Sequence, residues 1–293
     1  MKTTFLGVDG VAATKKVDYT IVGINTCSAP YLKGVELGAD TLRIASWRYA
    51  NEDGSSLPIK VFSPERGYIL QNTNLADYGN IEAKTESDLI LKLSKVDFSE
   101  LGIPIFIGAD HSVTYYLVNR IQEERKGKGI VVLQFDAHSD YIDEFADYPH
   151  GSVMCETSRV SGVEKVIHFG LRGNLNCGPA LRQSKLDGNM IVPFKDIKMD
   201  FSKVLKEIEG KDIYITFDTD FLNPMVAPAT NNPEPGGPLY EDTIYYLQSV
   251  IESAKNVVGM DFVEFNPQCQ GSSVTAATLV NIIMESLGFL TRK

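Results

Sequence analysis

Short apolar runs recur along the chain, and segments with a helical spacing of apolar residues lie between them. The runs have the length and the β-branched or aromatic content of buried strands, and they span residues 18–24, 103–109, 129–135, 165–171, 212–217 and 257–265. Apolar residues recur every three or four positions in 111–125, 240–254 and 273–289, which predicts helices there. Apolar strands joined through helices are typical of a mainly parallel sheet covered on both faces. The pattern therefore predicts an α/β fold.

The chain shows no sign of a boundary between domains. Turn residues are spread evenly, and neither a Ser/Pro-rich linker nor a repeat of 20–50 residues is present. We therefore expect residues 1–293 to form a single domain. The first residues lack the apolar core of a signal peptide, and no apolar run approaches about 18 residues, so we expect no membrane segment.

Composition narrows the classes of partner. The apolar fraction of 43% and the charged fraction of 23% are those of an ordinary globular protein. The net charge is −10, and no Lys/Arg cluster is longer than "EERKGKG", which argues against a nucleic-acid partner or a polybasic membrane patch. The charge suits a small cationic substrate, although acidic proteins are commonly acidic for solubility alone. The four cysteines form no CxxC spacing, so we expect neither a disulfide framework nor a thiolate metal site, and a reducing cytoplasm fits best.

Polar side chains follow two of the predicted strands where a core strand would carry apolar ones. Asp136, His138 and Asp140 come directly after the run 129–135, and Asp218 and Asp220 repeat the same spacing after 212–217. On an extended strand, alternate side chains point to one face, so we expect each set to lie together. Carboxylates that share a small volume repel one another and require donors, cations or a metal.

A third strand end adds a histidine to this group, because the run 103–109 leads into Asp110-His111-Ser112. In parallel sheets, sites form just beyond the carboxyl ends of the strands, where all three stretches would meet. A single Asp such as Asp110 or Asp218 is readily explained as a helix cap or turn residue. The joint spacing predicts instead a binuclear metal site of oxygen-rich character, better suited to manganese than to structural zinc. Its candidate ligands are His111, Asp136, His138, Asp140, Asp218 and Asp220.

Three further polar residues are less specific when each is considered alone. His150, in "YPHGSV", is compatible with an exposed loop, and Glu264, in "DFVEF", is compatible with an acid that caps a turn. His168 lies inside the apolar run "VIHFGL", so we expect a core histidine whose ring nitrogens are hydrogen-bonded.

The chain resembles the ureohydrolase family, that is, the arginases, agmatinases and formiminoglutamases. The resemblance covers nearly the whole sequence, and the matching motifs follow the order of the family. They are "GVELGADTLRIASWRY" (34–49), "GADHS" (108–112), "DAHSD" (136–140), "HG" (150–151), "HFGLRG" (168–173), "FDTDFLNP…APATNNPEPGG" (217–237) and "VEFNP" (263–267). The resemblance implies an arginase-like three-layer α/β/α sandwich, a homo-oligomer (trimer or hexamer), and two Mn²⁺ ions per subunit held by the six candidate ligands.

The resemblance also implies roles for the remaining residues. His150 matches a proton-shuttling histidine, and Glu264 matches the carboxylate that binds the guanidinium group in two-point fashion. A guanidinium carbon is a poor electrophile, so hydrolysis needs a hydroxide, which two divalent ions generate from a shared water. Asp140 would orient this nucleophile while also contacting a metal ion.

Departures from the family pattern bear on the substrate. The stretch "ATNNP" (229–233) stands where the family usually carries Thr-Gly-Thr-Pro. We expect its Asn231 and Asn232 either to narrow the pocket or to bind a substrate tail. Ile142 stands where arginases carry an Asn, which disfavours arginine. Ala109 replaces a glycine, and we expect little effect if φ stays negative.

The preferred hypothesis is an agmatinase that releases urea and putrescine. Competing hypotheses of the same class are enzymes that act on arginine, guanidinobutyrate or formiminoglutamate. Two further hypotheses are a one-zinc deacetylase-like hydrolase and a non-catalytic metal-binding homologue.

Overall fold

The computed structural model describes residues 3–10, 17–27, 32–50, 59–142 and 149–293, with Pro149 and His150 described by their backbone alone. The strands are β1 (Tyr19–Asn25), β2 (Ile59–Ser63), β3 (Gly67–Thr73), β4 (Leu75–Glu82), β5 (Ile103–Ile107), β6 (Ile130–Phe135), β7 (Val163–Leu171), β8 (Met190–Pro193), β9 (Asp212–Asp218) and β10 (Asn256–Val263). The helices are α1 (Gly38–Ser46), α2 (Glu86–Leu93), α3 (Val113–Glu124), α4 (Pro149–Ser158), α5 (Gly178–Leu186), α6 (Ile197–Ile208), α7 (Tyr240–Ser253) and α8 (Ser272–Arg292).

The main sheet has eight strands in the order β4-β1-β5-β10-β9-β6-β7-β8, and every neighbouring pair is parallel. Strands β2 and β3 form a separate antiparallel pair. In the main sheet, Phe135 of β6 lies beside Phe217 of β9, which lies beside Phe262 of β10, which lies beside Ile107 of β5. The four central strands therefore end at nearly the same level, and the residues that follow them meet at one edge.

Helices cover both faces of the sheet. Alternate residues of β6 show this division, since Val131 and Leu133 pack in one apolar cluster, whereas Ile130 and Val132 pack in another. The first cluster includes residues of α1, α6, α7 and α8, and the second includes residues of α2, α3, α4 and α5. The predicted three-layer α/β/α sandwich with a parallel central sheet is confirmed.

Four aromatic rings pack against one another near the carboxyl ends of the central strands. The Phe135 ring lies 5.8 Å from Phe217 and 5.1 Å from Phe221, measured between centroids, and Phe169 lies 5.3 Å from Phe135. All four side chains are fully buried. Such ring contacts add about 0.5–1.5 kcal/mol per pair to the burial of apolar surface, so they fix the position of the residues that follow each strand.

Helix α8 is long and apolar enough to cross a membrane by length and composition alone. Of the most apolar 18-residue stretch of this helix, 72% is buried inside the structure. It packs against α1, α7 and β3, so it is a core helix of the sandwich.

The predicted strands and helices all occur, with ends that lie within three residues of the predicted ones. The pattern of apolar positions did not predict β4, β8, the β2–β3 hairpin or helices α1, α2, α4, α5 and α6. The extent of the domain, residues 1–293, stays a prediction.

Candidate metal centre

The turn after β5 places His111 at the edge of the sheet. Gly108 has φ of +95°, and a Cβ there would lie 2.9 Å from the backbone nitrogen of Ala39, so only glycine fits. Ala109 has φ of +69°, so the condition on which a small effect was expected, a negative φ, is not met. The left-handed conformation costs about 1–2 kcal/mol for a residue with a side chain. It is held because the Glu264 N–H donates to the Ala109 carbonyl at 3.0 Å.

The three polar residues after β6 converge by a turn. Strand β6 ends at Phe135, and Asp140 has φ of +47°, so the expected strand alternation is wrong. Instead, Asp136 Oδ1 accepts a hydrogen bond from the His138 N–H at 2.6 Å. The Asp140 carbonyl accepts from the Met154 N–H of α4 at 2.9 Å. The stretch is therefore folded back on itself and tied to a helix.

The pair after β9 is likewise arranged by a turn. Asp218 is the last residue of β9, and its Oδ1 accepts from the Asp220 N–H at 2.8 Å as the cap of the 3₁₀ helix Thr219–Phe221. Asp220 Oδ1 in turn accepts from the Ala137 N–H at 3.1 Å. These bonds join the end of β9 to the stretch that follows β6.

One set of candidate ligands gathers around His111, and we call it the His111 group: His111, Asp136, Asp140 and Asp218. The Nδ1 atom of His111 lies 3.1 Å from Asp136 Oδ2, 3.1 Å from Asp140 Oδ2 and 3.2 Å from Asp218 Oδ2. The ligand atoms of His111, Asp136 and Asp218 all lie within 4.8 Å of one another, as ligands of one ion would. The predicted convergence of three strand ends is present.

A second set gathers around His138, and we call it the His138 group: Asp136, His138 and Asp220. The Nδ1 atom of His138 lies 2.9 Å from Asp220 Oδ2 and 3.7 Å from Asp136 Oδ1. These ligand atoms also lie within 4.8 Å of one another. Asp136 belongs to both groups, offering one oxygen to each histidine. Asp136 would therefore contribute one oxygen to each group if both held a metal ion.

A buried polar network fixes the ring of His111 from behind. Its Nε2 lies 2.8 Å from Thr216 Oγ1, which donates to Asp261 Oδ1 at 2.6 Å. Asp261 Oδ2 accepts from Tyr214 Oη at 2.7 Å and from Thr114 Oγ1 at 2.9 Å. This network was not predicted from the sequence. Because a metal-binding histidine is oriented by the partner of its other nitrogen, the network directs Nδ1 towards the carboxylates.

A second network positions Asp136. Gln134 Nε2 donates to Asp136 Oδ2 at 2.7 Å, and Gln134 Oε1 lies 2.5 Å from His168 Nδ1. The other nitrogen of His168 lies 2.8 Å from Ser184 Oγ. The expectation of a hydrogen-bonded core histidine is confirmed. Burial lowers the pKa of His168 to about 4, so this ring is neutral and donates from Nδ1 to the amide oxygen.

Glu264 follows β10 with φ of +61°, and its carboxylate is shared between two tasks. Oε1 accepts from the His111 N–H at 2.8 Å, whereas Oε2 has no hydrogen-bond partner among the described residues. Burial, followed by the nearby charge of Asp110, raises the pKa of Glu264 to about 8. One oxygen therefore stabilises the turn that carries His111, and the other makes no hydrogen bond within the described part of the chain.

The remaining predicted residues lie around this edge of the sheet. Asn231 Oδ1 accepts from Asn266 Nδ2 at 2.8 Å, while the buried Nδ2 of Asn231 has no partner in the described part of the chain. Asn232 is half-buried. The side chain of His150 is outside the described residues, but its backbone lies in the first turn of α4. The neighbouring carbonyl of Gly151 accepts from the Ile142 N–H at 3.0 Å, which places this turn beside the stretch after β6.

Comparison with known proteins identifies the family. The sequence profile of the Arginase family matches residues 17–288, which is most of the chain. The chain belongs to the arginase family. It is therefore a hydrolase that acts on the C–N bonds of guanidino compounds.

Individual relatives of this arginase-family enzyme carry different names. It is 26% identical to an agmatinase from Bacillus subtilis over 80% of this chain and 82% of the relative. It is 30% identical to a mitochondrial arginase from Medicago truncatula over 62% of this chain and 54% of that relative. Proclavaminate amidino hydrolase from Streptomyces clavuligerus has the same fold, with a TM-score of 0.81 and 22% identity over 100% of this chain and 98% of that one.

Carboxylates outnumber histidines in the arginase-family centre, and this excess of acidic groups shifts the pKa values of several side chains. Burial, followed by the charges of Asp220 and Asp140, raises the pKa of Asp136 to about 7. Burial opposes protonation of His138, but its hydrogen bond with Asp220 and the surrounding carboxylates raise its pKa to about 11. The His111 pKa is likewise held well above its ordinary value by Asp136, Asp140 and Asp218, against the effect of burial. The centre therefore attracts cations.

A pair of divalent ions fits this arrangement. The buried Nδ1 of His111 faces three carboxylate oxygens, yet it makes no well-aligned hydrogen bond to any described residue. The donors are carboxylate oxygens and imidazole nitrogens without a thiolate, which suits manganese and similar ions.

Proposed function

We propose that this arginase-family enzyme hydrolyses agmatine to urea and putrescine with two Mn²⁺ ions. The observation that carries the proposal is the sharing of Asp136 by two groups, each with a histidine Nδ1 among carboxylates. In this proposal the His111 group holds one ion and the His138 group holds the other. When bound, the two ions supply Lewis-acid activation of a water molecule at neutral pH.

The protein's own side chains position the reactants. Glu264 Oε2 is buried and unpartnered among the described residues, so it can accept N–H donors from a guanidinium group. The cationic substrate favours the ionised form of Glu264, whose pKa burial has raised to about 8. Asp140, whose Oδ2 lies 3.1 Å from His111, orients the attacking water. His150 donates a proton to the leaving amine, a role proposed from its place in the sequence.

The substrate tail distinguishes agmatine from its competitors. Agmatine ends in an ammonium group without a carboxylate, and the apolar Ile142 replaces a residue that would hold the carboxylate of arginine. The similarity to the Bacillus subtilis agmatinase supports this choice.

One observation favours a second candidate, a guanidino acid or arginine. The Nδ2 donor of Asn231 is buried without a partner in the described chain, and it lies beside Asn266, two residues beyond Glu264. Such a donor could bind a carboxylate tail. The similarity to the Medicago truncatula arginase points the same way.

A substrate panel tests the proposal. The manganese-loaded protein is incubated with agmatine, arginine, guanidinobutyrate and formiminoglutamate, and urea, formamide and the amine products are quantified. We expect urea and putrescine from agmatine, strongly reduced turnover in Glu264→Gln, and wild-type turnover in the exposed control Glu252→Gln. Turnover of another substrate without urea from agmatine would refute the agmatine assignment.

Elemental analysis of the same sample distinguishes a two-manganese hydrolase from a one-zinc enzyme. About two manganese ions per chain are expected from the two ligand groups. One zinc per chain would favour a deacetylase-like enzyme. Full metal loading without turnover of any guanidino or formimino compound would favour a non-catalytic homologue.

A further inference from the structure

The Nε2 atom of His138 has no hydrogen-bond partner among the described residues, although a metal-binding histidine needs one. Its Nδ1 faces Asp220, so Nε2 points to the opposite side of the ring, where it is buried and unpaired among the described residues. The carboxylate of Glu234 lies on that side, with Oε1 3.6 Å from Nε2. A histidine that binds a metal through Nδ1 must carry its proton on Nε2. That proton needs an acceptor.

The backbone around Glu234 is restricted from both sides. Glu234 lies between Pro233 and Pro235, and a residue that precedes proline is confined to extended conformations. The Glu234 carbonyl accepts from Arg172 Nη2 at 3.2 Å, and the same Nη2 donates to the Asp220 carbonyl at 2.6 Å. One guanidinium group therefore joins the two residues that face opposite nitrogens of His138.

The side chain of Glu234 is directed by Gly173. A Cβ at Gly173 would lie 2.0 Å from Cδ of Glu234, so the carboxyl group packs directly on the glycine. Gly173 has φ of +71°, which also favours glycine. Only 9% of the Glu234 side chain is exposed. The carboxylate is thus enclosed and aimed at the His138 ring.

We propose that Glu234 is a positioning residue, which accepts the Nε2–H of His138 and so presents Nδ1 to the metal ion of the His138 group. The inference rests on the proposed metal centre and assigns a role to the motifs "HFGLRG" and "PEPGG". A hydrogen bond of about 2.9 Å requires the two groups to approach by about 0.7 Å. Acceptors of this kind fix the tautomer of a ligand histidine and increase its basicity.

Metal binding without substrate tests the proposal. Mn²⁺ is titrated into wild type, Glu234→Gln, Glu234→Ala and the exposed control Glu252→Gln. The concentration of free Mn²⁺ is measured by electron paramagnetic resonance. We expect Glu234→Ala to weaken one of two binding steps by about 10–100-fold, with a smaller effect in Glu234→Gln. The other step, and both steps in Glu252→Gln, should keep their wild-type affinity.

A substitution outside Glu234 gives an independent test. Gly173→Ala places a methyl group where the Glu234 carboxyl lies, so it should weaken the same binding step while leaving the carboxylate in the chain. Circular dichroism monitors folding. If the Glu234 variants do not fold, Gly173→Ala decides the matter alone.

The turnover of the variants separates positioning from substrate binding. If Glu234 acts through the metal, saturating Mn²⁺ should restore most of kcat in Glu234→Gln, and KM for the guanidino substrate should not change. Wild-type metal affinity combined with a raised KM would assign Glu234 to the substrate and overturn the proposal. Equal weakening of both binding steps would also overturn it.

The same titration distinguishes this failure from failure of the proposed function. A wild-type protein that binds fewer than two Mn²⁺ ions contradicts the metal centre itself, and this inference with it. A wild-type protein that binds two and hydrolyses agmatine, beside Glu234 and Gly173 variants of unchanged affinity, refutes the inference alone.

Discussion

The two ligand groups are built by different parts of the fold. His111 is 1% exposed, and its Nε2 is fixed by Thr216 and Asp261 on the central strands β9 and β10. The His138 side chain is 13% exposed, and its Nε2 faces Glu234, which a loop carries. The first group therefore depends on the packing of the sheet, and the second depends on loop contacts. Mutations should separate the two groups wherever they do not touch Asp136.

Asp136→Asn should have the largest effect, because it removes the carboxylate that the two groups share. Loss of one charged ligand from each ion forfeits several kcal/mol of charge stabilisation, so we expect kcat/KM to fall by about a thousandfold. After desalting, Asp136→Asn should retain fewer manganese ions per chain than wild type, because both ligand groups bind more weakly. The exposed Asp242→Asn is the matched control. Retention of either ion at wild-type affinity would contradict the bridging role.

Arg172→Met should act on the His138 group and on stability. The guanidinium group donates to the carbonyls of Asp220, Phe221, Leu222, Glu234 and Pro235. Removing these donors from a half-buried loop should lower the free energy of unfolding by about 3–4 kcal/mol. Urea denaturation measures this change, with the exposed Arg182→Met as control. A loss below about 1 kcal/mol would show that the loop is held by other contacts.

His168 allows a test by pH, since it is buried and neutral behind Asp136. Its pKa is lowered to about 4 from 6.5, so the unfolded chain takes up a proton that the folded chain refuses as pH falls from 6.5 to 4. The stability contribution is complete above pH 6.5, and about 3 kcal/mol is lost by pH 4. His168→Gln removes this pH-dependent contribution to the free energy of unfolding.

The carboxylates titrate in both proteins, so the difference between wild type and His168→Gln isolates the histidine. Urea denaturation between pH 7 and pH 4 should give a shallower loss in the variant. Parallel pH profiles would contradict a neutral buried His168.

Thr216→Val should affect the His111 group with the smallest loss. The substitution keeps the shape but removes the hydroxyl between His111 and Asp261, which should cost about 2 kcal/mol of stability. It should weaken one manganese-binding step by about tenfold, and this step should differ from the one affected in Glu234 variants. Thr20→Val, which removes another buried hydroxyl hydrogen-bonded to the Leu101 carbonyl, is the control for folding. Weakening of the same step by both substitutions would refute the separation.

The strands that carry the ligands could be predicted because they are continuous apolar runs in the centre of a parallel sheet. The edge strands could not. Strand β4 mixes polar residues with Gly79 at φ of +88°, and β8 has only four residues, so neither gives a clear period. The hairpin β2–β3 lies outside the main sheet and leaves Phe62 and Tyr68 exposed.

The residues that gather in the two groups were predicted to lie together, but the expected reason, strand alternation, was wrong. Asp136, His138 and Asp140 lie beyond the end of β6, so the turn decides where they point. The residues Ala109, Asp140 and Glu264 all have positive φ, which propensity does not predict for residues with a side chain. Such conformations cost about 1–3 kcal/mol each and persist because the surrounding hydrogen bonds hold them.

The supporting networks depend on contacts that are distant in sequence. Thr216 and Asp261 meet across β9 and β10, and Glu234 reaches His138 from a loop. A signal was available for Asp261, an acid inside the apolar run "VVGMDFVEF", and it was not used. Nothing in the sequence pattern alone joins Glu234 to His138.

Anomalous X-ray scattering from a manganese-loaded crystal would locate the ions in the two groups. We expect two peaks, one bound by Nδ1 of His111 and the other by Nδ1 of His138, with the Asp136 carboxylate between them. A single peak, or binding through Nε2 of either histidine, would contradict it.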